Sequence, residues 1–320
     1  IAAQNHHIFK ELQYLSNIDY KPIRYISFAH DEETYKALEA SKAWSKAEMI
    51  APKQFREEIS PYFNANPKKY ISALVSEDCW QATPGKVVDL VRNLGIAAGG
   101  TVMEDCRVLE ACREGKYTSV LVQTHDKKYV EYRTEHFVNA LGSGAGKLCD
   151  SMGIDAGLYP VRHQAFITRR LPMLGKHGTN LDMLIDRQDY KGFSAVYGQQ
   201  IAYTGQIIGC ASPKLDAMRI DKNLKVNTKA FLEIVSEMFS EWIPDLAGVG
   251  IQAVWAGYYT EPRYIVDPEL GLFVGMRGHG FMLSQYIARM YVDKLLGRPV
   301  PEYFEKLKLN GPGLSEKAFK

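Results

Sequence analysis

No stretch of this 320-residue sequence stays apolar for the ~18 residues that a membrane-crossing helix requires, and no signal-peptide pattern opens it. Cysteine is sparse. The five thiols, Cys79, Cys106, Cys112, Cys149 and Cys210, form no C-x-x-C pair, so neither a zinc site nor a redox dithiol is expected, and no other metal site is indicated. Scattered thiols fit a reducing compartment, and the sequence therefore predicts a cytoplasmic protein. Charge of one sign is nowhere concentrated: 39 Lys and Arg stand against 37 Asp and Glu, spread along the chain. That pattern gives no footprint for nucleic acid or an anionic membrane. Internal repeats and low-complexity linkers are also missing. What is plentiful is apolar, at 46% hydrophobic residues, which is ordinary for a globular enzyme. The length allows two domains, or one with a large core.

Local signals alternate between strand and helix. Residues 24–30 (RYISFAH) read as a strand, after which Asp31 can cap a helix running through Tyr35, Leu38 and Trp44. Residues 70–75 read as a strand. Thr83 and Pro84 then open a helix with the apolar stripe Val87, Val88, Val91 and Leu94, ended by Gly95. A β-rich meander follows at 107–111, 119–124, 128–133 and 136–139, with a hairpin turn at 125–127. A second covers 160–168, 183–186, 194–197 and 207–209. Thr228 is placed to cap a helix whose apolar face is Phe231, Ile234, Val235, Met238 and Phe239. The short strand 271–275 precedes a last helix over 281–296, ended by Gly297 and Pro299. Mixed strands with helices at intervals predict an α/β fold with a mixed-sheet second domain.

Two glycine clusters could carry chemistry. Gly142-Ser-Gly-Ala-Gly146 follows a predicted strand, but Leu141 and Leu148 stand where a nucleotide phosphate loop needs Gly and Ser or Thr. A dinucleotide fingerprint needs an acid about twenty residues on, and residues 159–162 hold none. A close-packed strand-to-helix turn is the reading left. The second cluster, 275–283 (GMRGHGFML), joins a strand to a long helix. Its open N–H groups suit negative charge, although an ordinary glycine-rich turn has the same spacing.

Together these segments resemble a known family. Residues 137–147 (FVNALGSGAGK) are similar to the "VVNAAGAWSG" segment of the FAD-dependent amine oxidoreductases that include D-amino-acid oxidase, glycine oxidase and sarcosine oxidase. Residues 160–168 (PVRHQAFIT) resemble the family's following "P-V-R-G-Q" strand, and 78–88 its "D-G-x-V-D-P" turn. Residues 255–259 (WAGYY) and 275–283 resemble its closing motifs, the latter "G-x-S-G-H-G-F-x". All occur in the family's order along nearly the whole chain.

The resemblance implies a Rossmann-like FAD-binding domain (1–20, 77–158 and 256–320) interleaved with a mixed-sheet substrate domain (21–76 and 159–255). It implies hydride transfer from the carbon beside an amine nitrogen of an amino acid or secondary amine to flavin N5. By position, Gly142 and Ser143 would lie beside the AMP half of FAD. Gly257, Gly278, His279, Gly280, Phe281 and Met282 would line the ring and its ribityl chain, with Tyr258 at the pocket. The family's G-x-G-x-x-G turn belongs to an earlier segment, so the chain, which opens on Ile1, reads as the last four-fifths or so of a longer enzyme.

Departures shape the expectations further. Met282 stands where sarcosine oxidases place a carboxylate-holding lysine, and no cysteine lies near Gly257, so FAD is expected to bind non-covalently. Residues 196–199 (VYGQ) match the family's "Y-F-R-P" strand without its arginine; Tyr197 there is a further hydroxyl candidate. Arg263 and Arg277 remain as candidates to grip a carboxylate, against a surface role for either. His163 is the acid–base candidate, against a satisfied core histidine. The expected partners are a small amine or amino acid and, under an alternative reading, other subunits of an electron-transfer complex in which this chain only holds the cofactor.

Overall fold

The computed structural model describes residues 1–44, 46–64, 66, 68–175, 180–188, 192–201, 204–213 and 228–314. The chain opens with α1 (Ala2–Leu15), a helix that buries only Asn5, Ile8, Phe9 and Leu12. Its large apolar residues, Ile8, Phe9, Leu12, Tyr14 and Leu15, all fall from its midpoint onward, too short a run to announce the helix in the sequence. β1 (Lys21–Ala29) leads into α2 (Glu32–Ser41), where Asp31 accepts from the Thr34 amide and Thr34 reaches back to complete a capping box. α2 stops at Ser41 and tightens into a 3-10 turn, so Trp44 lies beyond the helix expected to include it. β2 (Ala47–Ile50) and the single turn α3 (Phe55–Glu58) precede β3 (Ser72–Gln81).

α4 (Pro84–Ala97) begins at the expected proline but runs through Gly95; the chain turns at Gly99, whose φ of 93° suits glycine. Next come β4 (Arg107–Glu114), β5 (Tyr117–Gln123) and β6 (Tyr129–Thr134), joined by tight turns at Gly115 and Lys127. The strand expected over 136–139 reduces to a single parallel bridge from Asn139 to Leu272, because only one short strand lies beside it. α5 (Ala145–Ser151), β7 (Tyr159–Thr168), β8 (Met183–Asp186), β9 (Phe193–Gln200) and β10 (Ile207–Pro213) follow. In α6 (Thr228–Trp242), Thr228 is the first helical residue rather than the cap; its side chain lies outside the described residues. The chain closes through β11 (Ile251–Glu261), β12 (Ile265–Asp267), β13 (Leu272–Val274) and α7 (Gly280–Leu295). Among the described residues no helix is long and apolar enough to cross a membrane.

These elements fall into two compact units. The first takes Ile1–Ile18, Thr83–Val161 and Tyr258–Ser315; the second takes Asp19–Ala82 and Arg162–Gly257. The second unit is built on a mixed eight-stranded sheet in the order β11-β7-β10-β9-β8-β1-β3-β2, with β1 and β8 parallel and the other described pairs antiparallel. α6 covers one face: Phe231, Ile234, Val235, Met238 and Trp242 pack among Phe28, Phe166, Leu184 and Val196. Gly198 and Gly209 have no room for a side chain beneath Phe239 and Phe166. At one end of this face sits a buried polar group. His30 Nε2 lies 2.8 Å from the Asp186 carboxylate, and the Tyr70 hydroxyl donates to Asp186 (3.4 Å) and Glu241 (3.2 Å).

The first unit has an antiparallel β4-β5-β6 sheet with α5 packed on it through Leu148, and an antiparallel β12-β13 ribbon. α7 buries Ile287, Met290 and Tyr291 with Tyr264, Val266, Phe304 and Leu307. α1 lies along α7, where buried Asn5 accepts from the Tyr286 amide (2.8 Å).

Candidate functional site

The first unit concentrates the residues singled out in the sequence around two glycine turns. Asn139 organises one of them. Fully buried, it takes the Gly271 carbonyl on its amide (2.8 Å), donates its side-chain Nδ2 to the Ala145 carbonyl (3.0 Å), and accepts the Leu141 amide on Oδ1 (3.2 Å). One side chain therefore fixes both ends of the turn that presents Gly142 and Ser143 to solvent. Gly142 takes a φ of 54°, and a Cβ on Gly146 would sit 3.0 Å from the Leu158 carbonyl oxygen. The turn needs its glycines for shape, and it leaves Gly142 open on its outer side, with nothing within 4 Å of an added Cβ.

The second turn joins β13 to α7. Gly275, with φ 71°, has its missing side-chain position filled by the Arg263 carbonyl oxygen, so only glycine can turn here. Arg277 follows in the left-handed region at φ 49°, an uncommon place for a non-glycine residue, and its Nε donates to the Glu261 carboxylate. His279 Nδ1 lies 2.7 Å from the hydroxyl of buried Tyr264. Gly278 is exposed, and the Tyr259 ring lies against it, 2.8 Å from where a Cβ would stand. These contacts hold the loop from beneath while its outer surface stays open.

α7 starts at Gly280, and no side chain caps it. Its first turn, where the helix dipole is positive, thus has no side-chain acceptor among the described residues. Phe281 and Met282 flank them, 40% and 39% exposed despite their size, with the Phe281 ring packed edge-on against Phe9 at 5.3 Å. A helix start without a side-chain cap, beside an exposed aromatic and a thioether, suits a planar ligand with an electronegative edge. Gly257 is exposed with nothing within 4 Å of an added Cβ, and Tyr258 is half-buried beside it.

The two arginines expected to grip a carboxylate are both engaged. The Arg263 guanidinium donates to the carbonyls of Gly311 (2.9 Å) and Leu309, fastening the carboxy-terminal segment. Arg277 is paired with Glu261, and both are largely shielded from solvent. His163 belongs to the second unit, on β7, where burial pushes its pKa down to about 4. It is neutral at physiological pH and a weak proton acceptor.

Sequence reasoning missed the holders rather than the held. Asn139 lies within the quoted 137–147 motif without having been assigned a task, and Glu261 and Tyr264 gave no signal, since their partners stand 16 and 15 residues away.

Comparison with known proteins followed these observations. A model of the family described as FAD dependent oxidoreductase matches residues 1–294. L-proline dehydrogenase from P. horikoshii has a similar structure, with a TM-score of 0.76 at 22% identity, covering 96% of this chain and 81% of that one. Glycine oxidase from Geobacillus kaustophilus gives 0.78 at 16% identity, covering 97% and 80%. Iminodiacetate oxidase from Chelativorans sp. BNC1 gives 0.73 at 13% identity, covering 98% and 83%. Among curated proteins, none matched.

Proposed function

The chain belongs to the FAD-dependent oxidoreductase family, and from that premise we propose that it oxidises the C–N bond of an amino acid or secondary amine. The observation that carries the reading is the start of α7, which no side chain among the described residues caps, beside exposed Phe281 and Met282. The three similar structures named above, a proline dehydrogenase, a glycine oxidase and an iminodiacetate oxidase, all act on amino or imino acids by their names, which supports this substrate class.

FAD, when bound, supplies the hydride acceptor at its N5 atom. In this reading the positive start of α7, shaped by Gly278, His279 and Gly280, would face the electron-accepting end of the ring and favour negative charge there. Phe281 and Met282 would hold the ring by shape, and Gly142 and Ser143 would lie beside the AMP half. The first unit is the FAD-binding unit and the second the substrate unit. Tyr258 contributes to the pocket wall. Arg277, neutralised by Glu261, positions the glycine loop; Arg263 fastens the tail. His163 serves as a neutral hydrogen-bonding residue of the substrate unit, and the substrate's nitrogen arrives deprotonated rather than surrendering its proton to an imidazole. The engagement of both arginines favours one alternative, a cofactor-holding subunit that performs no amine chemistry.

Visible spectra of the purified holoprotein, taken without oxygen during addition of proline, glycine, sarcosine and simple amines, separate the two. Bleaching by one class is the expected result. A flavin spectrum that none of them changes leaves only the cofactor-holding alternative.

A further inference from the structure

Arg277 holds a position that its own backbone does not favour. Its φ of 49° lies in the left-handed region, inside a turn that already contains Gly275, Gly278 and Gly280. An arginine costs more than a glycine in that conformation, so the position is kept for its side chain. That side chain goes to the end of β11, where its Nε donates to the Glu261 carboxylate at 2.5 Å. The two side chains are 20% and 11% exposed. Shape alone does not need this link. Two contacts that are not ion pairs already tie the same turn down: the Tyr259 ring against Gly278, and the Tyr264 hydroxyl 2.7 Å from His279 Nδ1. What the Arg277–Glu261 pair adds to them is charge.

The pair sits close to the start of α7. Arg277–His279 form a single 3-10 turn that leads directly into the helix at Gly280. At about 2 Å of rise per residue, the Arg277 backbone stands roughly 6 Å from that helix start. The dipole already makes this end positive, by about half a charge. A guanidinium without its acid would add a full charge of the same sign, in surroundings where solvent screens it weakly. Glu261 is buried, and cancels it. The balance matters because a flavin ring gains negative charge on reduction. A bare cation nearby makes that easier, and a cancelled one does not.

We propose that Glu261 is a positioning residue for the redox chemistry: through Arg277 it holds down the reduction potential of the bound FAD. The helix start supplies a fixed, modest preference for negative charge, and the ion pair keeps a second cation from adding to it. The inference rests on the reading that sets the ring at the start of α7, but not on which amine reduces it.

Dye-equilibrium titration of the holoprotein, with dithionite as the reductant and no amine present, reads the potential. The proteins compared, all at one pH, are the wild type, Glu261→Gln, Glu261→Asp, Arg277→Gly and the Glu261→Gln/Arg277→Gly double variant. Glu261→Gln leaves Arg277 uncancelled, and the equilibrium is expected to move about tenfold toward reduced flavin, about 30 mV for a two-electron couple. Glu261→Asp keeps the charge, the double variant removes both charges, and each is expected to stay within about twofold of the wild type. Arg277→Gly is expected to be harder to reduce. Its backbone suits glycine, so it decides the matter if the Glu261 variants do not fold. Glu261→Gln with the wild-type potential overturns the inference. So does a double variant that keeps the Glu261→Gln shift, or an Arg277→Gly no harder to reduce than the wild type. A potential that answers to the pair, in a protein whose flavin no amine bleaches, sinks the amine-oxidising reading and leaves this one standing. Bleaching by an amine, with a potential that none of the variants moves, does the reverse.

Discussion

His163 shows how one buried side chain sets a pH dependence. Its folded pKa lies near 4, against an ordinary value of 6.5, and burial is the cause. Between those two values the unfolded chain binds a proton that the folded chain refuses. Stability therefore falls as pH drops from about 6.5 toward 4, and is lower by about 3 kcal/mol once both states are protonated. His163→Gln should flatten urea-derived stability across that window. An unchanged slope in the variant would place the pH dependence elsewhere. The residue scale is also where the sequence was least readable. Gly142, Gly275 and Gly278 could be marked as turn residues from spacing, yet the reason Gly275 must be glycine is a carbonyl twelve residues away on Arg263. Glu261 and Tyr264 meet Arg277 and His279 in the same way, from 16 and 15 residues away.

Among the elements, the strongly periodic ones were legible. β8 over Met183–Asp186 and α7 up to Gly297 stand where their patterns put them, because alternation and capping are local properties. α1 and β11 were not foreseen: the large apolar residues of one crowd from its midpoint onward, and the other does not alternate, with Gln252 and Ala253 both exposed and Thr260 and Glu261 both buried. α4 illustrates the remaining gap. Its stripe of Val87, Val88, Val91 and Leu94 predicts a buried face, but in this chain only Val87 is buried and Val88 is 61% exposed. Periodicity reports that a helix has an apolar side, not that something covers it. Thermal melts should therefore separate two adjacent valines. Val87→Ala costs about 2 kcal/mol, and Val88→Ala stays within about 0.5 kcal/mol. Equal losses would mean that the face is covered in solution.

At the scale of the whole molecule, each unit is assembled from distant segments. The chain leaves the first unit after Ile18, returns at Thr83, leaves after Val161 and returns at Tyr258. No composition shift or linker marks these crossings; the domain outline came from resemblance alone. Long-range pairing follows: Asn139 needs β13, and β8 needs both β1 and β9. A gene split after residue 161 should give two polypeptides, neither of which shows a cooperative melting transition by circular dichroism when expressed alone. A sharp transition in the 1–161 half would show that its core does not depend on the β12-β13 ribbon.

The open start of α7 has one more consequence, for anyone who sets out to make this protein hardier. A helix that begins without a cap is an obvious target for repair, and His279→Asp would supply the missing acceptor, a change commonly worth about 1 kcal/mol. The same carboxylate would fill the position proposed for the electron-rich edge of the cofactor, and repel it. Selection for heat tolerance alone would thus drift toward a sturdier and emptier protein, and the unrepaired helix end is better seen as a reserve held for the ligand than as a defect.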